Sequence, residues 1–204
     1  MNTTTTSTTT GRTVTANLAL TLDGRYHGPA GPGDFGAFVP YVTTDTARDH
    51  MTRLWTGATT AVLGRTNAEG FLGFWPSVAD DASADPRDRS YARWLVETEK
   101  VVFSTTLTEA PWERTRIVNA PADQVIRDLK NQGEGEILVN SSASIIKALL
   151  DADLIDRLHL MILPEILGGG PRLLDDGLPA SAWTLAHQET GERGEIAAVY
   201  DRAR

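Results

Sequence analysis

Three short stretches of this chain have residue types suited to holding an anion, and each follows an apolar run. Gly64-Arg65-Thr66 closes the run from Ala58, Ser104-Thr105-Thr106 follows Val101-Val102-Phe103, and Asn140-Ser141-Ser142 follows Ile137-Leu138-Val139. A strand that runs into small or hydroxyl residues and then into a helix offers free N–H groups along the helix dipole, where a phosphate settles. Arg65 adds a planar guanidinium fork that matches phosphate. The plainer alternative is helix capping, because Ser, Thr and Asn start helices without any ligand. Three such turns with one arginine lead to the expectation of a nucleotide ligand.

Other chemistries find little support. The chain has no Cys, so disulfides, thiolate nucleophiles and Cys-ligated metals are excluded and a reducing compartment fits. The four His, at 27, 50, 159 and 187, show no ligand spacing, and no metal site is expected. His159 sits between Leu158 and Leu160, so strand alternation puts it on the opposite side, an expected exposed face. Ser104, Ser141 and Ser142 lack the G-x-S-x-G elbow of a hydrolase. "GPGDFG", 31–36, fits G-x-G-x-x-G but neither follows a strand directly nor opens a helix, so it reads as loop.

These residues need elements to position them. "TVTANLAL", 13–20, reads as a strand ending before Asp23-Gly24. Residues 25–40, rich in Gly and Pro, are expected to form a long loop, whose length inside a compact domain marks a functional cover. A helix is expected over 44–55, a strand over 58–64 leading into a helix, a helix from about Pro86, and a strand over 100–104. A further helix spans 121–132, and the strand 137–139 leads to a helix with Ala143, Ile146, Leu149 and Leu150 as its apolar stripe. "LIDRLHLMILPEI" reads as a long strand, and the remainder as a hairpin across Gly191 to Gly194. Strands alternating with helices and then a hairpin predict an α/β fold: a mostly parallel mixed sheet, helices on both faces, and an antiparallel C-terminal edge.

Composition agrees. At 204 residues, 41% hydrophobic and 23% charged, the chain fits one globular domain. No apolar run approaches the roughly 20 residues of a membrane span. A formal charge of −8 argues against nucleic acid as a partner, though not against a nucleotide. "MNTTTTSTTTGR" has no apolar core of a secretory signal. It is expected to be a disordered tail over 1–12, before a single domain over 13–204 and a cytoplasmic location.

"TLDG", "AVLGRT", "KVVFSTTL" and "ILVNSSASIIKALLDADLIDRLHLMILPEILGGGPRLL" resemble the dihydrofolate-reductase-like proteins of the riboflavin-biosynthesis reductase (RibD C-terminal) family, over about residues 13 to 202. The most specific part runs from Leu149 to Leu174. The resemblance implies NADPH as hydride donor, a small heterocyclic or imine-type substrate, and a homodimer. By position it implies that Gly64, Arg65 and Thr66 meet the 2′-phosphate and pyrophosphate side of the cofactor, with Asn67 in place of a hydroxyl residue. Ser104 and Thr105 match the turn beside the adenosine ribose. Asn140, Ser141 and Ser142 match the pyrophosphate turn, where the family has glycine at Ser141. Gly168, Gly169 and Gly170 match its Gly-rich turn, which implies Gly168 and Gly169 as cofactor-binding, and Asp23 matches an Asp near the substrate.

Hydride transfer also needs a proton source. Asp23 and Glu165 are the candidates, since a carboxyl at the edge of an apolar strand has a raised pKa and can donate near neutral pH. Asp23 is read as substrate-binding or proton-delivering, Glu165 as a second polar anchor. Two other readings stay open: a cofactor-free acid/base enzyme using the same carboxylates, and a non-catalytic binder of a small ring.

Overall fold

The computed structural model describes residues 11–204. Its elements are β1 (Val14–Thr21), α1 (Asp45–Trp55), β2 (Ala58–Gly64), α2 (Arg65–Val78), α3 (Pro86–Glu97), β3 (Glu99–Phe103), β4 (Thr115–Val118), α4 (Ala122–Lys130), β5 (Glu136–Asn140), α5 (Ala143–Asp151), β6 (Arg157–Leu163), β7 (Ala182–Thr190) and β8 (Ile196–Ala203). They build one sheet in the order β4-β3-β2-β5-β1-β6-β8-β7. Neighbours from β4 through β6 are parallel, whereas β8 and β7 add antiparallel. This is the expected architecture.

Strand alternation sorts the core into two faces. Val14, Ala16, Leu18 and Leu20 of β1 pack with Val125, Ile126 and Leu129 of α4 and Ile146 and Leu149 of α5. On the other face, Leu63 and Val102 meet Leu72 of α2 and Tyr91 and Leu95 of α3, and Met161 and Leu163 meet Ala47 of α1. Helices therefore cover both sides, as parallel strands require.

Five expectations change. β4 was not foreseen, because four residues at a sheet edge carry no usable alternation; it pairs with β3 from Lys100–Thr115 to Phe103–Val118. The strand expected over 154–166 is only Arg157–Leu163. Residues 1–10 of the expected tail lie outside the described residues, but Arg12 is tied down, donating to the Gly135 carbonyl at 2.9 Å and to the Thr60 hydroxyl at 2.8 Å. His159 is not on an exposed face: it is 4% exposed, because β6 is an interior strand and α1 covers the side it points to. Its ring lies 5.1 Å from that of His50. The loop after β1 is also more closely held than a free cover, with Phe38 buried against Met161, Leu163 and Ala197.

Candidate functional site

The carboxyl ends of the six parallel strands β4, β3, β2, β5, β1 and β6 form one rim. β1 leaves toward α1 on one face and β5 toward α5 on the other, so the boundary between these neighbours is a topological switch point, where open α/β sheets hold ligands. A step exists there. β1 pairs with β5 only to Asn17–Asn140, but with β6 on to Thr21–Leu163. Leu18 to Thr21 thus overhang the end of β5.

α2 after Gly64 and α5 after Ser142 open at this rim without a side-chain cap, as does α4 after Pro121. By contrast α1 is capped by the Thr44 hydroxyl and α3 by the Asp85 carboxylate. The hydroxyl and amide residues before α2 and α5 are therefore not serving as caps, and the first N–H groups of these two helices stay available to an anion. The Ser142 hydroxyl is spent sideways, accepting from Gly64 N–H at 2.9 Å and donating to the Asn140 carbonyl at 3.0 Å. Asn67 donates to the Ser141 carbonyl and to Ser142 Oγ, the latter at 3.3 Å. The two turns form one unit. Ser141 has φ +51°, the left-handed conformation that glycine adopts freely and a residue with a Cβ holds at some strain.

Asn140 is corrected as a ligand contact. Its side chain is fully buried, donating to the Tyr91 hydroxyl at 2.7 Å and accepting from the Asn17 amide at 3.0 Å. It positions the turn from behind. Ser104 makes its own turn, its hydroxyl accepting from the N–H groups of Thr106 and Leu107 at 3.2 and 2.9 Å. Beside it lies a cleft of about 270 Å³, lined by Arg65, Ser104, Thr105, Thr106, Val118 and Asn119 among others. The Arg65 guanidinium spans its edge, bonded to the Thr106 hydroxyl and to Glu69 at 2.8 Å.

The two carboxylates lie further along the rim. Asp23 accepts from the Thr21 hydroxyl at 2.7 Å, from the N–H groups of Leu167 and Gly168 at 3.2 and 3.0 Å, and from Arg25 at 3.3 Å. The Thr21 hydrogen bond, followed by the backbone donors and Arg25, holds its carboxyl well below the usual carboxylate range. That environment favours the ionised form of Asp23 and disfavours proton delivery from it. Gly168 and Gly169 accordingly do not line the phosphate turns. They sit past β6, clamped between Asp23 and the loop after β1, and at Gly170 a Cβ would stand 2.3 Å from the His27 carbonyl oxygen. Glu165 accepts a 2.8 Å hydrogen bond from the Tyr41 hydroxyl, which raises the Tyr41 pKa.

Sequence reasoning placed Asn67 in the first turn without its role, and missed Tyr41, Tyr91 and Asn17. None has a local signal: Tyr41 meets Glu165 across 124 residues, and Asn17 meets Asn140 across 123. Of the aromatic residues near α2, Trp55, Phe71 and Trp75 pack on the core, while Phe74 is exposed.

The sequence profile of the RibD C-terminal domain matches residues 12–196. No curated protein matches the chain. Among solved structures, it is similar to a protein from Shewanella sp. PV-4 assigned to riboflavin biosynthesis, with 22% identity over 94% of this chain and 99% of that one, at a TM-score of 0.66. A diaminohydroxyphosphoribosylaminopyrimidine deaminase/5-amino-6-(5-phosphoribosylamino)uracil reductase from Thermotoga maritima aligns at 15% identity and TM-score 0.62, over 95% of this chain but 57% of that one. Dihydrofolate reductase from Enterococcus faecalis, complexed with NADP(H), aligns at 17% identity and TM-score 0.55, over 94% of this chain and 97% of that one.

Proposed function

The chain belongs to the RibD C-terminal domain family, and from that membership we propose that it is an NADPH-dependent reductase acting on a small heterocyclic, imine or carbonyl-type substrate. The observation that carries this reading is the pair of uncapped helix starts, α2 and α5, beside an Arg65-edged cleft. They offer backbone N–H donors for a pyrophosphate and a guanidinium for a 2′-phosphate. The reductase names of two structural relatives, one of them complexed with NADP(H), support the same reading.

NADPH, when bound, supplies the hydride. The chain supplies position and charge. Arg65, Thr105 and Thr106 hold the adenosine end, and the starts of α2 and α5 hold the pyrophosphate. The overhang of Leu18 to Thr21 walls the place where the flat rings meet. The loop after β1, pinned by Phe38, keeps water from that place. Asp23 fixes the Gly168 turn and stays ionised. Glu165, oriented by Tyr41, is the carboxylate left to contact the substrate. A cytoplasmic location and a homodimer complete the proposal, the dimer favoured by the edge strand β7 with Leu185 53% exposed.

The test is a thermal-shift titration with NADPH, NADP and NADH. Binding at 100 times Kd stabilises the fold by about 2.7 kcal/mol. No shift at millimolar NADPH sinks the reductase reading and leaves the cofactor-free enzyme or the ring-binding module. If NADPH binds, Arg65→Ala should weaken it more than NADH; equal losses would show that Arg65 does not meet the 2′-phosphate.

A further inference from the structure

The cleft between the ends of β3 and β4 has a charge arrangement that bears on which dinucleotide it takes. Among the described residues lining it, Arg65 is the sole cation. That cation is already engaged. Its Nε donates to Glu69 Oε1 at 2.8 Å, one helical turn on along α2, and its Nη1 donates to the Thr106 hydroxyl. Both partners of the ion pair are about half exposed, Arg65 at 46% and Glu69 at 47%. A ligand entering this edge of the cleft therefore meets a guanidinium and a carboxylate together.

The two charges favour different ligands. A 2′-phosphate carries close to two negative charges at neutral pH, so it gains from the Arg65 fork and is repelled by Glu69. A free ribose 2′-hydroxyl can donate to a carboxylate, the contact by which acidic residues select the unphosphorylated dinucleotide. We propose that Glu69 is a specificity-determining residue for the adenosine end: it occupies Arg65 as an internal anion and lowers the preference for NADPH over NADH. The inference rests on the reductase reading and adds to it a second residue of opposite sign. Thr106 anchors the far side of the guanidinium, so the fork does not have to leave the cleft when Glu69 swings away.

Glu69→Gln tests this, because it keeps the shape and helix propensity of the side chain and removes its charge. The pair is solvent-exposed, so the variant should melt within about two degrees of the parent. Affinities for NADPH, NADH and adenosine 2′,5′-bisphosphate are measured by calorimetry on parent, Glu69→Gln and Arg65→Ala proteins. NADPH and the bisphosphate should bind on the order of fivefold more tightly to Glu69→Gln, an effect of the size of an exposed charge pair, while NADH binds equally or less well. The gain should shrink at high salt. An unchanged NADPH-to-NADH ratio overturns the inference. So does a loss of NADPH affinity matching that of Arg65→Ala, which would make Glu69 a residue that aligns Arg65. If the parent binds neither dinucleotide, the reductase reading falls first and this inference with it.

Discussion

Two buried polar pairs lie side by side on the same face of the sheet, and they differ in whether their hydrogen bonds are made. Asn140, Asn17 and His159 are in register across β5, β1 and β6. The Asn pair is satisfied: Asn17 donates to Asn140, and Asn140 donates to Tyr91. Next to it, His159 faces His50 of α1, and both ring nitrogens of His50 and Nδ1 of His159 find no partner among the described residues. Burial, then the charge of Arg53 and His187, pushes the His50 pKa down to about 4. Burial, then His50, Arg157 and Arg53, pushes that of His159 down to about 3. Arg53 is itself paired with Glu189 at 3.2 Å. The contrast is instructive: one network fixes the backbone beneath the candidate phosphate turn, and the other packs α1 onto the sheet only while it stays uncharged.

The largest expected effect tests the unsatisfied pair. A histidine with a depressed folded pKa is neutral when folded and protonated when unfolded below pH 6.5. Its contribution is therefore fully present above that pH and lost as the pH falls toward 4. The loss for His50 alone is on the order of 3 kcal/mol, read as a falling midpoint of chemical denaturation between pH 7 and 4.5. The double variant His50→Leu with His159→Leu should keep its stability at pH 7 and lose that acid dependence. A parent protein whose midpoint stayed flat over this range would erase the contrast. Next comes the satisfied pair. Asn140→Leu strands the Tyr91 hydroxyl and the Asn17 amide, and should cost about 2 kcal/mol with little change between pH 7 and 5. A cost near zero would mean that the amide row does not brace the turn. The smallest effect is at the turn itself. Ser141→Gly relieves the left-handed backbone and should stabilise by about 1 kcal/mol, a rise of a few degrees in Tm at most. Destabilisation would show that the Ser141 side chain holds the turn.

Much of the architecture was legible because alternation and helical spacing report burial locally. The strands 58–64 and 137–139, the helix after Ser142 and the final hairpin were all readable in this way. β4 was not, since four residues at an edge show no period. The site was legible in its turns and opaque in its supports. Gly64-Arg65-Thr66 and Asn140-Ser141-Ser142 announced a rim of strand ends, but only the coordinates show that Ser142 and Asn67 stitch the two turns together.

Residue type and spacing alone determined where strands end, where helices begin and which charged groups stand at those ends. Those features depend on neighbours within a turn or two of the chain. The tertiary structure decided the roles. It made Asn140 a brace by placing Tyr91 and Asn17 against it, and added the N–H groups of Leu167 and Gly168 to the Thr21 hydrogen bond that already favours the Asp23 anion. It buried His159 by laying α1 over β6. A side chain's charge state and partners are set by what surrounds it, and much of that surrounding comes from parts of the chain far away in sequence.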